Sequence, residues 1–475
     1  MRMTEGTPWK QVILFSLPVL AGALLQQLYN TADAIIVGQF SGESALAAVG
    51  TTGSFVFLFL AVAMGISAGN GVVVAQHYGA GDSAEVRANA AAGIFFQSAL
   101  GLIAAAVGAA VAEPAFERLV DTPPEFLDLT VRYFQIYAIG LFFQFGYNAF
   151  SSILRGVGDS AATLYFLLIS SVANILLDLL FVAGLHWGVV GAAVATDLAQ
   201  LISFVAAYVY MTRKYPIFRF RFSEFRWDAR RSLQTVRIGF PISLQLMVVA
   251  FGFTLIQRAV NGFGQVMTAA CTVGQRVEMY VGLPCHAFLT TVATFAGQNI
   301  GAGLIDRAKR GMKQTVLVSV LMTLAISVLT WLFDDQIVSL FGVSDAARGY
   351  ALSYIHAVSI TNLLIAAYLP VFGFFQAANH SAFPMIVAIC ALSMRVGSVY
   401  LFRHSPFLGH SVVWWNSAFG YVTGSTITWS LYFSGLWKRN ARLTKGTSKG
   451  EPASLEALNS DAPKDVAATG PDAGE

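Results

Sequence analysis

The stretch QVILFSLPVLAGALLQQLYNTADAIIVGQFSG, residues 11–42, decides how the rest of the chain is read. Its first 22 residues carry no charge, enough to cross a bilayer at about 20 residues per helical span. Asp33 comes next, followed at once by Ala34, Ile35, Ile36 and Val37. A carboxylate inside a membrane span is costly and marks a functional site. Gln26, Asn30 and Asp33 recur at i, i+4 and i+7, so a polar stripe runs down one face of an oily helix. Such a stripe also serves as a seam between helices, a reading that suits Gln26 equally well. Asp33 points instead to an ion or proton site.

The whole chain has this character. Of 475 residues, 56% are hydrophobic and 12% charged, against about 25% charged in soluble globular domains. Apolar runs recur throughout, which makes the fold class an all-α polytopic membrane protein, since helices satisfy their own backbone in lipid. Cys271, Cys285 and Cys390 all fall inside apolar runs and read as small buried hydrophobes. The seven histidines show no HxxxH pair. The first apolar run is long and carries Asp33, so it reads as a retained span and not as a cleaved signal peptide. No GxxxxGK[ST] stretch occurs, which excludes transport driven by a nucleotide-binding loop of that kind.

Twelve spans are expected, at 11–38, 46–76, 88–111, 129–153, 161–183, 188–212, 235–260, 265–298, 314–333, 348–375, 382–402 and 411–437. The acidic, proline-containing stretch 113–128 reads as a loop. Lys and Arg gather in the loops on the N-terminal side, above all in the linker 213–234, whereas the opposite loops offer Arg118, Arg348 and Arg403. The positive-inside rule then puts both termini in the cytoplasm. Residues 441–475 are polar, rich in Ala, Ser, Gly and Pro and without aromatics, the composition of a disordered cytoplasmic tail.

The chain also repeats itself. AQHYGAG at 75–81 is answered by GQNIGAG at 297–303, Leu17-Pro18 by Phe240-Pro241, and Ser160-Ala161 by Ser381-Ala382, at offsets of 222, 223 and 221. Two homologous halves follow, an N-terminal lobe at 1–212 and a C-terminal lobe at 235–440. Six spans per half make the repeat parallel, with a pseudo-twofold along the membrane normal and a central cleft between the lobes.

Depth brings four first-half residues to one level of the outer leaflet. Asp33 lies near the outer end of the first span, Asp178 and Asn174 one turn apart in the fifth, and Thr196 two turns into the sixth. Two carboxylates, an amide oxygen and a hydroxyl suit Na+, and the same carboxylates can carry H+. Asp197 belongs to the same level, or else bridges to Arg132. At the repeat offsets, Asp33 corresponds to Ile256, Asn30 to Phe253, Asp178 to Val399 and Asn174 to Arg395. This one-sidedness argues for function and not for fold glue. The second half has charges of its own, Arg276 and Glu278, and the structural reading pairs Glu278 with Arg395 or Arg258. Pro18 and Pro241 imply the same kink in both halves, with a hinge at Pro18 as the alternative.

LPVLAGALLQQLYNTADAIIVGQFSGESALAAVG (17–50), AQHYGAGD (75–82), LRGVGDSAATLY (154–165), SVANILLDLLFV (171–182), GVVGAAVATDLAQ (188–200) and TFAGQNIGAG (294–303) resemble the multidrug and toxic compound extrusion (MATE) family. The resemblance covers 10–440. It implies two six-helix lobes forming a V and antiport by rocker-switch motion. It also implies a cation site on Asp33, Asn174, Asp178 and Thr196, the group that depth had already picked out. NorM-type members carry a further acidic pair in the C-terminal lobe, but the seventh and tenth spans here have no carboxylate to match it.

The expectation is therefore a monomeric, non-enzymatic inner-membrane antiporter that uses no cofactor beyond a coupling Na+ or H+. Its partners are the bilayer and small amphipathic, mostly cationic organic substrates, with neither nucleotide nor nucleic acid involved. Tyr29, Phe143, Tyr147, Met247 and Phe253 are candidate cleft residues, adaptable enough to favour promiscuity. The rival reading is a flippase for lipid-linked intermediates from the same superfamily. Its pyrophosphate would need a basic cavity, for which Arg258, Arg276 and Arg395 are the candidates.

Overall fold

The computed structural model describes residues 1–403 and 405–439, so the expected tail at 441–475 lies outside the described residues. The described residues form helices and no strand. The first half holds α1 (Pro8–Ser41), α2 (Glu43–Ala80), α3 (Ser83–Pro114), α4 (Pro124–Gly156), α5 (Ser160–Asp178) and α6 (Gly188–Lys214). The second holds α7 (Ala229–Asn261), α8 (Gln265–Gly301), α9 (Ile305–Leu332), the short α10 (Asp334–Ser339), α11 (Asp345–Ala377), α12 (Ala382–Phe402) and α13 (Val412–Phe433). Eleven of these are long and apolar enough to cross a membrane. The twelfth long helix, α13, is diluted by Asn416, Ser417, Thr423 and its glycines and is not among the eleven. Most helices outrun the expected spans at one or both ends, because a helix does not stop where lipid stops. The stretch 113–128 is mostly not a loop: α3 runs to Pro114, a π-helical turn continues to Leu119, and α4 begins at Pro124. Glu113, Glu117, Glu125 and Asp128 ride on helix ends, and Asp121 sits in the short connection between them.

Caps and glycines set the turns. Asp82, Asp159 and Asp228 each accept a hydrogen bond from the backbone N–H three residues on, starting α3, α5 and α7. Positive-φ positions recur at the repeat offset: Gly42 and Gly264, Gly81 and Gly303, Gly158 and Asn379. Gly42 (φ 84°) and Gly264 (φ 91°) make the same tight reversal in each half, in a conformation that a Cβ disfavours.

The two halves meet through α1, α2, α7 and α8. Gly69 faces Gly239, and a Cβ on either Gly79 or Gly301 would overlap the backbone of the facing helix at Gln298 or Gln76. The repeat is visible in the side chains as well. Gln76 Nε2 donates to Ala377 O at 2.7 Å, and Gln298 Nε2 donates to Gly156 O at 2.9 Å, each reaching into the other half at positions one repeat apart. The N-terminus adds a strap. The Met1 ammonium donates to Gly158 O, Met3 N–H donates to Gln298 Oε1 at 2.9 Å, and Arg307 donates to the carbonyls of Met3, Glu5 and Gly6. Among the described residues, the hydrogen bonds that cross between the halves lie from mid-helix to the N-terminal side. The cleft expected between the lobes is therefore tied shut on the N-terminal side.

Candidate functional site

Asp33, Asn174, Asp178 and Thr196 come from α1, α5 and α6 and converge near the ends of these helices that face away from the N-terminus. Asn174, Asp178 and Thr196 are buried, and Asp33 is half-buried. Asn174 Nδ2 donates to Thr196 Oγ1 at 3.5 Å, and Tyr29 lies close by. The carboxyl groups of Asp33 and Asp178 face each other. Asp33 Oδ1, both Asp178 oxygens and Asn174 Oδ1 are buried, and among the described residues they have no hydrogen-bond donor of ordinary geometry. Four unsatisfied oxygens on one spot are expensive to bury. A monovalent cation or shared protons would satisfy them. Among the described residues no group of three or more His, Cys, Asp or Glu comes together.

One turn outward from each donor the helices turn apolar. Ile36 and Val37, Val182, and Ala192 and Ala193 pack together with Tyr133 as a lid of hydrocarbon over the oxygens. The chain also changes pitch at the site, because α5 gives way to a π-helical turn, Leu179–Gly184, directly after Asp178. Such turns concentrate at functional positions. Tyr133 and Tyr137 border the carboxylates, and sequence reading had missed both. A signal for Tyr133 was present: at an offset of 221 it corresponds to Tyr354, which borders the charged centre of the other half.

Other expected residues fall elsewhere. Gln26 and Asn30 are exposed on α1, and no hydrogen bond among the described residues ties them to Asp33. Asp197 does not bridge to Arg132. Its Oδ1 is buried beside Gly140, while Arg132 pairs at 2.9 Å with Asp128, one turn away on the exposed face of its own helix. Phe143 packs on Phe142 and Phe204, and Tyr147 borders the first-half core. Met247 is half-buried on α7. Phe253 lies under the Arg395 guanidinium at 5.1 Å.

Arg395 and Glu278 form a buried pair at 3.3 Å, both less than a tenth exposed. Asn416 Oδ1 accepts from Arg395 Nε at 2.7 Å, and Tyr354 and Tyr421 donate to Glu278 at 3.0 and 2.9 Å. Of the two arginines considered for Glu278, Arg395 is the partner. Arg258 and Arg276 are exposed.

A duplicated helical fold, a cleft tied shut on one side and an unsatisfied oxygen cluster in the first half define the class, a multi-pass membrane transporter and not an enzyme. The MatE family model matches twice, at residues 18–180 and 241–401, and the chain belongs to that family. Similar proteins include two from Bacillus subtilis (strain 168). The probable multidrug resistance protein YpnP is 28% identical over 437 residues, 92% of this chain and 97% of that one. The probable multidrug resistance protein YoeA is 26% identical and covers 92% of this chain and 96% of its own. In fold the chain is similar to a MATE family multidrug resistance transporter of the MOP superfamily in its outward-facing conformation. That likeness has a TM-score of 0.85 at 24% identity, over 93% of this chain and 98% of that one.

Proposed function

We propose that this protein exports amphipathic, mostly cationic organic compounds from the cell in exchange for Na+ or H+ by rocker-switch alternating access. The observation that carries the reading is the set of unpartnered oxygens on Asp33, Asn174 and Asp178. An ion that occupies them in one state of the lobes and leaves in the other supplies the differential affinity that coupling needs. The names of the relatives as multidrug resistance proteins support the substrate class. With both termini in the cytoplasm of an inner membrane, as the Lys and Arg distribution favours, the cleft faces outward. The lipid-flippase reading has less support: Glu278 neutralises Arg395, and the relatives carry multidrug resistance names. The test is dye efflux from proteoliposomes with Na+ and pH gradients imposed separately. Export driven by one of them supports antiport, and export driven by neither refutes it.

A further inference from the structure

α7 and α8 run antiparallel on either side of the Gly264 reversal, and Gln275 Nε2 donates to Gln257 Oε1 at 3.2 Å. That bond fixes which faces of the two helices meet. Arg258 and Arg276 each follow the bonded glutamine by one residue. One residue turns a side chain by about 100°, at 3.6 residues per turn. In an antiparallel pair the two turns bring both side chains to the same side of the pair. The arginines therefore emerge on one side of the pair, about 3 Å apart along the axes, where the two glutamines bridge the helices.

On α8 that side continues the face that meets the first half. At the closed end of the molecule Gly297 and Gly301 of α8 abut Ala75 and Gln76 of α2. At helical spacing the same face of α8 continues through Thr290, His286, Met279, Arg276, Thr272 and Thr268, all exposed or half-exposed. A lipid-facing stripe would not carry Thr, His and Arg, and charged residues inside spans face protein or a water-filled cavity. Among the described residues neither Arg258 nor Arg276 has an ion pair or a side-chain hydrogen bond. The nearby carboxylate, Glu278, is taken by Arg395. Asp33 and Asp178 belong to the other lobe.

We propose that Arg258 and Arg276 form an oxyanion subsite on the second-half wall of the cleft, so that the transporter accepts amphipathic compounds bearing a carboxylate or phosphate. Zwitterions would bind with the cationic end toward the Asp33–Asp178 lobe. Two guanidiniums with no carboxylate of their own are matched to a planar or tetrahedral oxyanion, which they hold by charge-assisted hydrogen bonds. The proposal rests on the export reading for its physiological meaning.

The test uses the full chain in phosphatidylcholine nanodiscs and two dyes, rhodamine 110, which carries a free carboxylate, and its methyl ester rhodamine 123. Fluorescence anisotropy gives the affinity for each. In Arg258→Gln/Arg276→Gln the ratio of rhodamine 110 to rhodamine 123 affinity falls about tenfold or more, whereas Arg403→Gln, in an outer loop, keeps the wild-type ratio. Rhodamine 123 binding reports folding in the same sample. An unchanged ratio in the double variant, or a wild type that does not bind rhodamine 110, overturns the subsite. Adding phosphatidylglycerol to the discs separates the sources. Arginine-dependent competition with rhodamine 110 points to a lipid headgroup, and its absence to a soluble compound; either result retains the oxyanion chemistry. Arginine-dependent binding without gradient-driven movement of either dye would keep the subsite and refute export. Movement of both dyes with an unchanged ratio would do the reverse.

Discussion

Glu278 and Asp33 are both carboxylates inside spans, and their surroundings differ. Glu278 has two tyrosine hydroxyls and a guanidinium on its oxygens, so it is spent on structure. Removing one partner of such a pair costs about 3–5 kcal/mol because the other charge stays buried. Glu278→Gln should therefore lower the melting temperature in detergent and the folded yield, and Glu278→Gln/Arg395→Gln should recover part of the loss. Normal stability with lost transport would place Glu278 on the substrate path. Outside the spans, Asp159 is 7% exposed. Burial opposes its charge, but hydrogen bonds from Lys214 at 2.9 Å, Tyr215 at 2.8 Å and Tyr210 at 3.0 Å outweigh that and hold its carboxyl below the usual range. A depressed carboxylate contributes stability that is present above its unfolded value, about 3.9, and is lost as pH falls through the folded one. The melting-temperature gap between wild type and Asp159→Asn should thus hold near neutral pH and close below about pH 4. A gap that does not change with pH would contradict this.

Among the helices, the contacts that matter most are those the repeat duplicates. Gln76 and Gln298 each hold a helix-end carbonyl of the other half; Gln298 also accepts from the buried Met3 N–H, whereas the second bond of Gln76 goes to Asn379 Oδ1 at 3.2 Å, on a half-buried residue. Gln298→Leu should therefore favour opening on the N-terminal side more than Gln76→Leu, by about 1–3 kcal/mol per orphaned group. Spin-label distances across that side would show the order of effects, and equal or absent shifts would refute the latch. The sequence revealed this motif as a repeat but not as a latch, because the partners lie more than 140 residues away and depend on how α2 and α8 cross. The four candidate donors were easier to read. Span count and direction place Asp33, Asn174, Asp178 and Thr196 at one depth whatever the packing. Helix phase was harder, which is why Gln26 and Asn30 share a stripe with Asp33 in sequence yet stay exposed. The π-helical turn after Asp178 leaves no trace in apolar periodicity.

At the scale of the whole molecule, a duplicated fold carries an asymmetric chemistry. The family model begins its two matches 223 residues apart and ends them 221 apart, in step with the sequence offsets. Yet Ile256 and Val399 stand where Asp33 and Asp178 would recur, and both are buried in the second half. A reporter active only outside the cytoplasm should be silent when fused to the C-terminus, and strong activity would invert the orientation and with it the direction of transport. The most direct test of the account is efflux of rhodamine 123 from proteoliposomes under an imposed Na+ or pH gradient, comparing Asp33→Asn and Asp178→Asn with Ile256→Ala and Val399→Ala. The oxygen cluster as coupling site predicts that both Asn variants remain folded but lose gradient-driven efflux, while the second-half variants keep substantial transport. Efflux by both Asn variants at near wild-type rates would contradict it.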